Sequence, residues 1–361
     1  MNQARELDLP SRDDISRILV LKWSAMGDVA LASAAFEDIY QAFPGRDIDL
    51  DTLPPWNQLY ADDPRFRQVQ ALGLRRKGKR LREGWRWLRQ VAAARYDLVV
   101  DLQTTDRSRF MIAAVALFGR PITYRLGNKP AFPYNVSPAR TMAPRHALTI
   151  AQDTLGAGKI RCITDRPILH PTEAQQNRST QLCRQHGLGA KQFAVLLPGC
   201  QAAGYLKRWG TQRYAALADR LLREGHVEKV ALLGGPDEMD DCSAIAARAT
   251  IDGVVNLCGQ TELLEVTAIC RSASVVVGND TGTGHLASAG DTPLIIICGP
   301  TDPRRVKPAG PQVHTMQADL PCINCYRKHC AHHSCMHLLT PTVVADVVVQ
   351  RLRSNGSAEV L

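Results

Sequence analysis

Short, unbroken apolar runs alternate along this chain with stretches of helical period. Arg17 to Trp23 reads as a buried strand and Ser24 to Asp28 as a turn. Val29 to Phe43 then places Ala32, Ala35, Phe36, Ile39 and Phe43 on one helical face and stops at Pro44-Gly45. Ile48–Leu53 and Tyr96–Leu102 predict further strands. The segment from Thr164 to Lys191 is polar, with Pro167 and Pro171, and marks a boundary. The alternation then restarts: strands at Phe193–Leu197, Lys229–Leu233, Val254–Leu257, Ser274–Gly278 and Pro293–Cys298, and helices at Thr211–Arg223 and Asp237–Ala249. Strands alternating with helices build parallel βαβ units. Two such series predict an α/β protein of two Rossmann-like domains whose parallel sheets face one cleft, with ligands beyond the carboxyl ends of the strands.

The predicted organisation is a disordered leader (1–16), an N-terminal domain (17–170), a C-terminal domain (171–340) and a closing helix and tail (341–361). At 361 residues, two or three domains can each bury a core. Met1 to Asp14 is polar, with no apolar segment of a signal peptide. No apolar run reaches the roughly 18–20 residues of a membrane span. The expectation is a cytoplasmic protein whose eleven cysteines stay mostly reduced.

The net charge of +9 is concentrated. Arg65 to Arg89 carries ten Lys/Arg against Glu83 alone, with Trp85, Trp87 and Leu88 among them. Such a stretch suits an anionic membrane surface or an anionic substrate. Nucleic acid is a third partner, and a solvated basic helix face needs no partner at all.

The strongest local signal is Val277-Gly278-Asn279-Asp280-Thr281-Gly282-Thr283-Gly284-His285-Leu286. A strand ends in a glycine-rich turn that opens a helix, which directs backbone N–H groups and a helix dipole at an anion such as phosphate. Gly282 and Gly284 allow close approach, and Asp280, Thr281, Thr283 and His285 add polar groups; Asp280 could equally be a plain helix cap. Ser24-Ala25-Met26-Gly27-Asp28 follows the first strand, where Asp28 is a candidate base or an N-cap. Pro198-Gly199-Cys200 with Lys207-Arg208-Trp209 offers a turn and two cations for a diphosphate, or ordinary surface charge. Glu238, after Gly234-Gly235-Pro236-Asp237, could accept hydrogen bonds from a ribose or base, or simply complement a helix dipole.

Cys322-x2-Cys325-x4-Cys330-x4-Cys335 puts four cysteines in fourteen residues, with His329, His332 and His333 among them. Four thiolates can surround one structural zinc or iron ion. Reduced thiols without metal, or disulfides, remain open. The chain has no Gly-x-Gly-x-x-Gly after the first strand, no Walker A sequence, no Gly-x-Ser-x-Gly and no His-Glu-x-x-His.

Taken in order, five landmarks resemble glycosyltransferase family 9, the heptosyltransferases of lipopolysaccharide core synthesis. They are Leu19–Val29, Leu197-Pro198-Gly199 with Lys207-Arg208-Trp209, Gly234–Glu238, Asn279–Ala287 and Gly299-Pro300-Thr301-Asp302-Pro303. The resemblance runs from about Arg17 to about Arg353. It implies the GT-B fold and inverting transfer of a heptose from ADP-heptose without a catalytic metal. By position, Asp28 resembles the general base, Lys207 the diphosphate cation and Glu238 the nucleoside contact. Asp280, Thr281, Gly282, Thr283 and His285 resemble the donor loop, with Ser24, Gly27 and Arg208 as further substrate contacts. The implied partners are an ADP-sugar, an anionic glycolipid acceptor and the inner face of the inner membrane, which the protein would touch peripherally, with no role for nucleic acid. Alternatives are a related transferase with another sugar nucleotide or a protein acceptor, a GT-B-fold sugar-nucleotide epimerase, and a non-catalytic nucleotide-sugar-binding scaffold.

Overall fold

Arg17–Lys22 (Arg-Ile-Leu-Val-Leu-Lys) forms strand β1, with five of its six residues buried. Burial of both strand faces is what helices on both sides of a parallel sheet impose. The computed structural model describes residues 3–73, 80–103, 105–119, 121–141, 143, 145–200 and 202–356. They fall into two units, Met1–His170 and Pro171–Leu361.

In the first unit β1 is followed by α1 (Met26–Ala42), β2 (Asp47–Thr52), β3 (Gln68–Ala71), α2 (Arg80–Ala94), β4 (Leu98–Asp101), α3 (Asp106–Phe118), β5 (Tyr124–Leu126) and α4 (Ala147–Ala157). The strands form one sheet in the order β3-β2-β1-β4-β5, and every pairing is parallel. Alternate residues of β1 serve opposite faces. Leu19 and Leu21 join a core with Trp87 and Val91 of α2 and Met111, Ile112 and Val115 of α3. The chain winds outward from β1 to β3, then returns to β4, so the topological switch point lies between β1 and β4.

The second unit contains α5 (Glu173–Gln185), β6 (Phe193–Leu197), α6 (Thr211–Arg223), β7 (Lys229–Leu232), α7 (Met239–Arg248), β8 (Val254–Asn256), α8 (Leu263–Ser272), β9 (Val275–Asn279), α9 (Gly282–Ala287), β10 (Leu294–Cys298), α10 (Pro303–Val306), β11 (Val313–Gln317), α11 (Ser334–His337) and α12 (Pro341–Gly356). Its parallel sheet runs β11-β10-β9-β6-β7-β8, with the switch point between β6 and β9. Leu196, Val277, Ile295 and Ile297 fill one side of the sheet, together with Trp209, Tyr214 and residues of α12. Phe193, Val195, Leu197, Val276 and Ile296 fill the other.

Several sequence expectations change. The expected disordered leader has a defined structure over its described residues, 3–16: Leu9 and Ile15 are fully buried. Its backbone donates from Arg5, Leu7 and Leu9 to the carbonyls of Ser137, Ala157 and Gly158 at 2.8–3.1 Å. Burial of those two apolar side chains offsets the ordering of an otherwise charged segment. Helix α1 begins at Met26, so Ser24 to Asp28 is not all turn. The basic stretch is not one helix face. Arg65 is buried and grips Asp63 at 2.6 Å, Gln68–Ala71 is an edge strand, and residues 74–79 lie outside the described residues. Trp87 is buried, whereas Trp85 is two-thirds exposed.

Candidate functional site

In the first unit, the ends of β1 and β4 meet across the switch point. Ser24 Oγ donates to Gln103 Oε1 at 2.9 Å, and Lys22 Nζ to the Leu102 carbonyl at 3.1 Å. Burial lowers the Lys22 ammonium from its ordinary range, while Asp28 and Asp101 act on it in the opposite sense. Asp101 accepts Tyr134 O–H at 2.5 Å and the Gln103 N–H at 2.8 Å. Its carboxyl is pushed up by burial, against these bonds. Asp28 itself is exposed, in the first turn of α1. It is not the N-cap, which is Ala25 without a side-chain hydrogen bond. Gly27 precedes it in the same turn. The arrangement is an exposed carboxylate at a helix start, above a buried lysine that sequence reasoning passed over. Lys22 could have drawn notice as the lone charge ending an apolar strand.

In the second unit, four landmark loops leave the carboxyl ends of adjacent strands, since β10, β9, β6 and β7 are neighbours in the sheet. Asn279 ties them together across the switch point. Its Nδ2 donates to the carbonyls of Pro198 and Gly199 at 2.6 and 3.3 Å. Its Oδ1 accepts the Trp209 backbone N–H at 3.2 Å and Tyr214 O–H at 3.0 Å. Trp209 is fully buried, and its indole N–H donates to the Leu339 carbonyl at 2.6 Å. The Lys207-Arg208-Trp209 turn is thereby pinned at Trp209, through its backbone and its side chain.

Pinning directs Lys207 at Asp280. Lys207 Nζ donates to Asp280 Oδ2 at 2.8 Å and to the Asp280 carbonyl at 3.2 Å. Thr301 Oγ1 donates to the same Oδ2 at 2.7 Å. Asp280 is therefore not a helix cap. The cap of α9 is Thr281, whose side chain makes no capping bond to the backbone; its Oγ1 lies instead 3.0 Å from Thr283 Oγ1, within hydrogen-bond distance. Gly282 opens the helix, and His285 is buried within it.

Glu238 accepts the Gly235 N–H at 2.7 Å and lies against the β6 loop. A Cβ added to Gly199 would meet Glu238 Cγ at 2.0 Å. Arg208 turns to Asp241 at 2.9 Å and to the Cys200 carbonyl at 2.8 Å, so both of its terminal nitrogens are engaged by the protein. Burial pushes the Cys200 thiol up, the cations Lys207 and Arg208 oppose this, and Asp280 and Glu238 reinforce it. That thiol lies among all four charged groups. Lys207 also lines a cavity of about 310 Å³ with Thr301, Tyr326, Arg327 and Lys328. Thr301 sat in a sequence landmark without a role, because its partner is 21 residues away.

Cys322, Cys325, Cys330 and Cys335 line one small cavity of about 20 Å³. All four are free thiols, and burial followed by Cys325 and Cys330 pushes up the Cys335 thiol. Among the described residues, however, no three His, Cys, Asp or Glu side chains are grouped to hold a metal ion. The expected structural zinc or iron is therefore not supported. Order in this segment comes from hydrogen bonds instead. Tyr326 N–H donates to the Pro300 carbonyl at 2.9 Å, Gln317 Nε2 to Asn324 Oδ1 at 2.9 Å, and His333 Nε2 lies 2.7 Å from the Leu206 carbonyl.

The sequence signature described as "Glycosyltransferase family 9 (heptosyltransferase)" matches residues 84–336. The chain is 27% identical to lipopolysaccharide heptosyltransferase 1 of Pseudomonas aeruginosa over 333 residues, 88% of each chain. A glycosyltransferase family 9 structure from Veillonella parvula superposes with a TM-score of 0.80 at 18% identity, covering 98% of this chain and 100% of that one. Escherichia coli heptosyltransferase WaaC with ADP gives 0.71 at 21%, over 93% and 99%. Two Rossmann-like units and these likenesses show the GT-B fold. The chain is a glycosyltransferase and belongs to glycosyltransferase family 9, the heptosyltransferases.

Proposed function

We propose that this protein transfers a heptose from ADP-heptose to an acceptor of the lipopolysaccharide core, with inversion at the anomeric carbon and no catalytic metal. The observation that carries the reading is the Lys207–Asp280–Thr301 cluster at adjacent strand ends, in a chain whose curated relatives are lipopolysaccharide heptosyltransferases. A sugar hydroxyl is a weak nucleophile at neutral pH. Asp28, exposed and outside any ion pair among the described residues, takes its proton as the oxygen bonds to the anomeric carbon. The bond from that carbon to the β-phosphate oxygen breaks, and ADP leaves. Lys207 meets the charge that develops there, and the amides of Thr281, Gly282 and Thr283, at the start of a helix with no side-chain cap, add to it. Glu238 contacts the nucleoside, held by the Gly235 amide. Ser24, Gly27 and the donor-loop His285 shape the surfaces for acceptor and donor, and Arg208 acts by fixing the Cys200 carbonyl.

The acceptor is an anionic glycolipid, reached from the cytoplasmic face of the inner membrane by peripheral contact. Exposed Trp85 among Arg82, Arg86 and Arg89 supports that contact. Among the described residues no helix is long and apolar enough to cross a membrane. The test is a thermal-shift panel of nucleotide sugars followed by product analysis. ADP-heptose should raise the melting temperature, because a ligand of the native state alone stabilises it, and should yield a heptosylated acceptor. A UDP- or GDP-sugar that stabilises and transfers in its place would overturn the donor assignment.

A further inference from the structure

The cavity at Lys207 has a second wall that no landmark of the sequence foretold. It is built by the cysteine-rich segment, through Tyr326, Arg327 and Lys328. At about 310 Å³ it lies at the small end of ligand sites, room for a diphosphate and part of a sugar. Lys207 is matched by Asp280. Arg327 and Lys328 have no ion pair among the described residues. Three cations therefore face one carboxylate around this space, and like charges gathered at the edge of a low-dielectric wall repel. An anion of two or more charges relieves that repulsion.

A contrasting cavity in the first unit makes the point. It is larger, about 630 Å³, and Arg17, Arg67 and Arg86 line it. There each guanidinium already has a carboxylate: Asp47, Asp49 and Glu83 respectively. Its cations are neutralised within the protein.

The bland alternative for Arg327 and Lys328 is solvated surface charge, since both are exposed. Their anchoring weighs against it. Tyr326, the preceding residue, has φ +51, a left-handed conformation that is unfavourable for a residue with a side chain. It is held there by its N–H to the Pro300 carbonyl at 2.9 Å, by its hydroxyl accepting the Asp302 N–H at 3.1 Å, and by the Arg305 guanidinium 5.7 Å over its ring. The two cations thus leave a fixed point beside the Thr301 loop.

We propose that Arg327 and Lys328 bind the diphosphate of the sugar-nucleotide donor, in the cavity they line together with Lys207. The proposal deepens the assignment of this cavity to the donor and rests on it. Arg327 offers a planar fork and Lys328 a point charge, a pairing suited to adjacent phosphate groups.

The experiment is calorimetric titration of ADP, AMP and adenosine into the full-length protein, its Arg327→Gln and Lys328→Gln variants, and the double variant. Both side chains are exposed, so the variants should melt as the wild type does. Each single change should weaken ADP about tenfold or more, the scale of a charged hydrogen bond. AMP should lose much less, adenosine should be unaffected, and the salt dependence of ADP binding should become shallower. Arg327→Lys should recover part of the affinity. A double variant that binds ADP as the wild type does, or that loses adenosine and ADP in equal proportion, would overturn the proposal and leave the donor site standing. A wild-type protein with no measurable affinity for ADP would overturn the donor assignment and this inference together.

Discussion

Lys207 and Asp280 are joined twice, Nζ to Oδ2 at 2.8 Å and Nζ to the backbone carbonyl at 3.2 Å. Asp280 is almost wholly buried, and Thr301 is its other partner. Lys207 compensates a buried carboxylate, and under the proposed function it has a second, separable duty, presenting a cation to the donor. Lys207→Ala should destabilise the fold by about 3–5 kcal/mol, the scale for leaving one buried charge unpaired, and weaken ADP binding. Adding Asp280→Asn should restore much of the melting temperature and none of the ADP affinity. Calorimetry on the double-mutant cycle checks this; recovery of ADP affinity in the double variant would make Lys207 purely structural.

Gly199 faces Glu238 so closely that a Cβ would sit 2.0 Å from its Cγ. Gly199→Ala should displace the Glu238 carboxylate from the Gly235 amide it now accepts at 2.7 Å. If Glu238 reads the nucleoside, adenosine affinity should fall about tenfold or more, the scale of a charged hydrogen bond. The inorganic pyrophosphate affinity should hold. Equal losses for both ligands would place the damage in the fold of the loop.

Much of this architecture is legible in the sequence, and the failures have physical causes. Apolar runs such as Leu19–Leu21 and Val275–Val277 mark strands because both faces are buried. Gln68–Ala71 hides because an edge strand with half-exposed polar residues has no such pattern. The start of α1 is masked by Gly27, which reads as a turn although it lies in the first helical turn. The roles of Asn279, named only as part of a landmark, and of Lys22 are hidden for another reason. Each acts through carbonyls about 80 residues away in sequence, Pro198 for Asn279 and Leu102 for Lys22. Only the strand order β9-β6 and β1-β4 brings those partners near. The cysteine cluster was conspicuous by spacing, yet spacing did not predict that its neighbours Tyr326 to Lys328 would build a cavity wall.

Asp51 gives a pH prediction. It is fully buried and accepts the indole N–H groups of Trp23, at 3.2 Å, and of Trp87. Burial raises its carboxyl from 3.8 to about 7, with the two indoles opposing. A carboxyl raised on folding binds its proton more tightly in the native state, so its stabilisation is complete below the unfolded pKa. That stabilisation is lost as pH climbs through about 7. Melting temperature should therefore fall between pH 5 and pH 8, and Asp51→Asn should flatten the fall by roughly 2–4 kcal/mol. Parallel pH profiles of the two proteins would show Asp51 to be uninvolved.

The central claim is that Asp28 removes the acceptor proton while ADP-heptose supplies the sugar. Asp28 is exposed in the first turn of α1 and does not cap it, so Asp28→Asn should cost less than about 1 kcal/mol of stability. The most direct measurement pairs heptose transfer to a heptose-deficient lipopolysaccharide core with ADP binding, for wild type and Asp28→Asn. The account predicts wild-type transfer with one ADP released per heptose attached. It predicts a variant with kcat lowered roughly 10²–10⁴-fold and ADP affinity nearly unchanged. A wild-type protein that moves no heptose from ADP-heptose, or an Asp28→Asn variant that keeps full kcat, would contradict it.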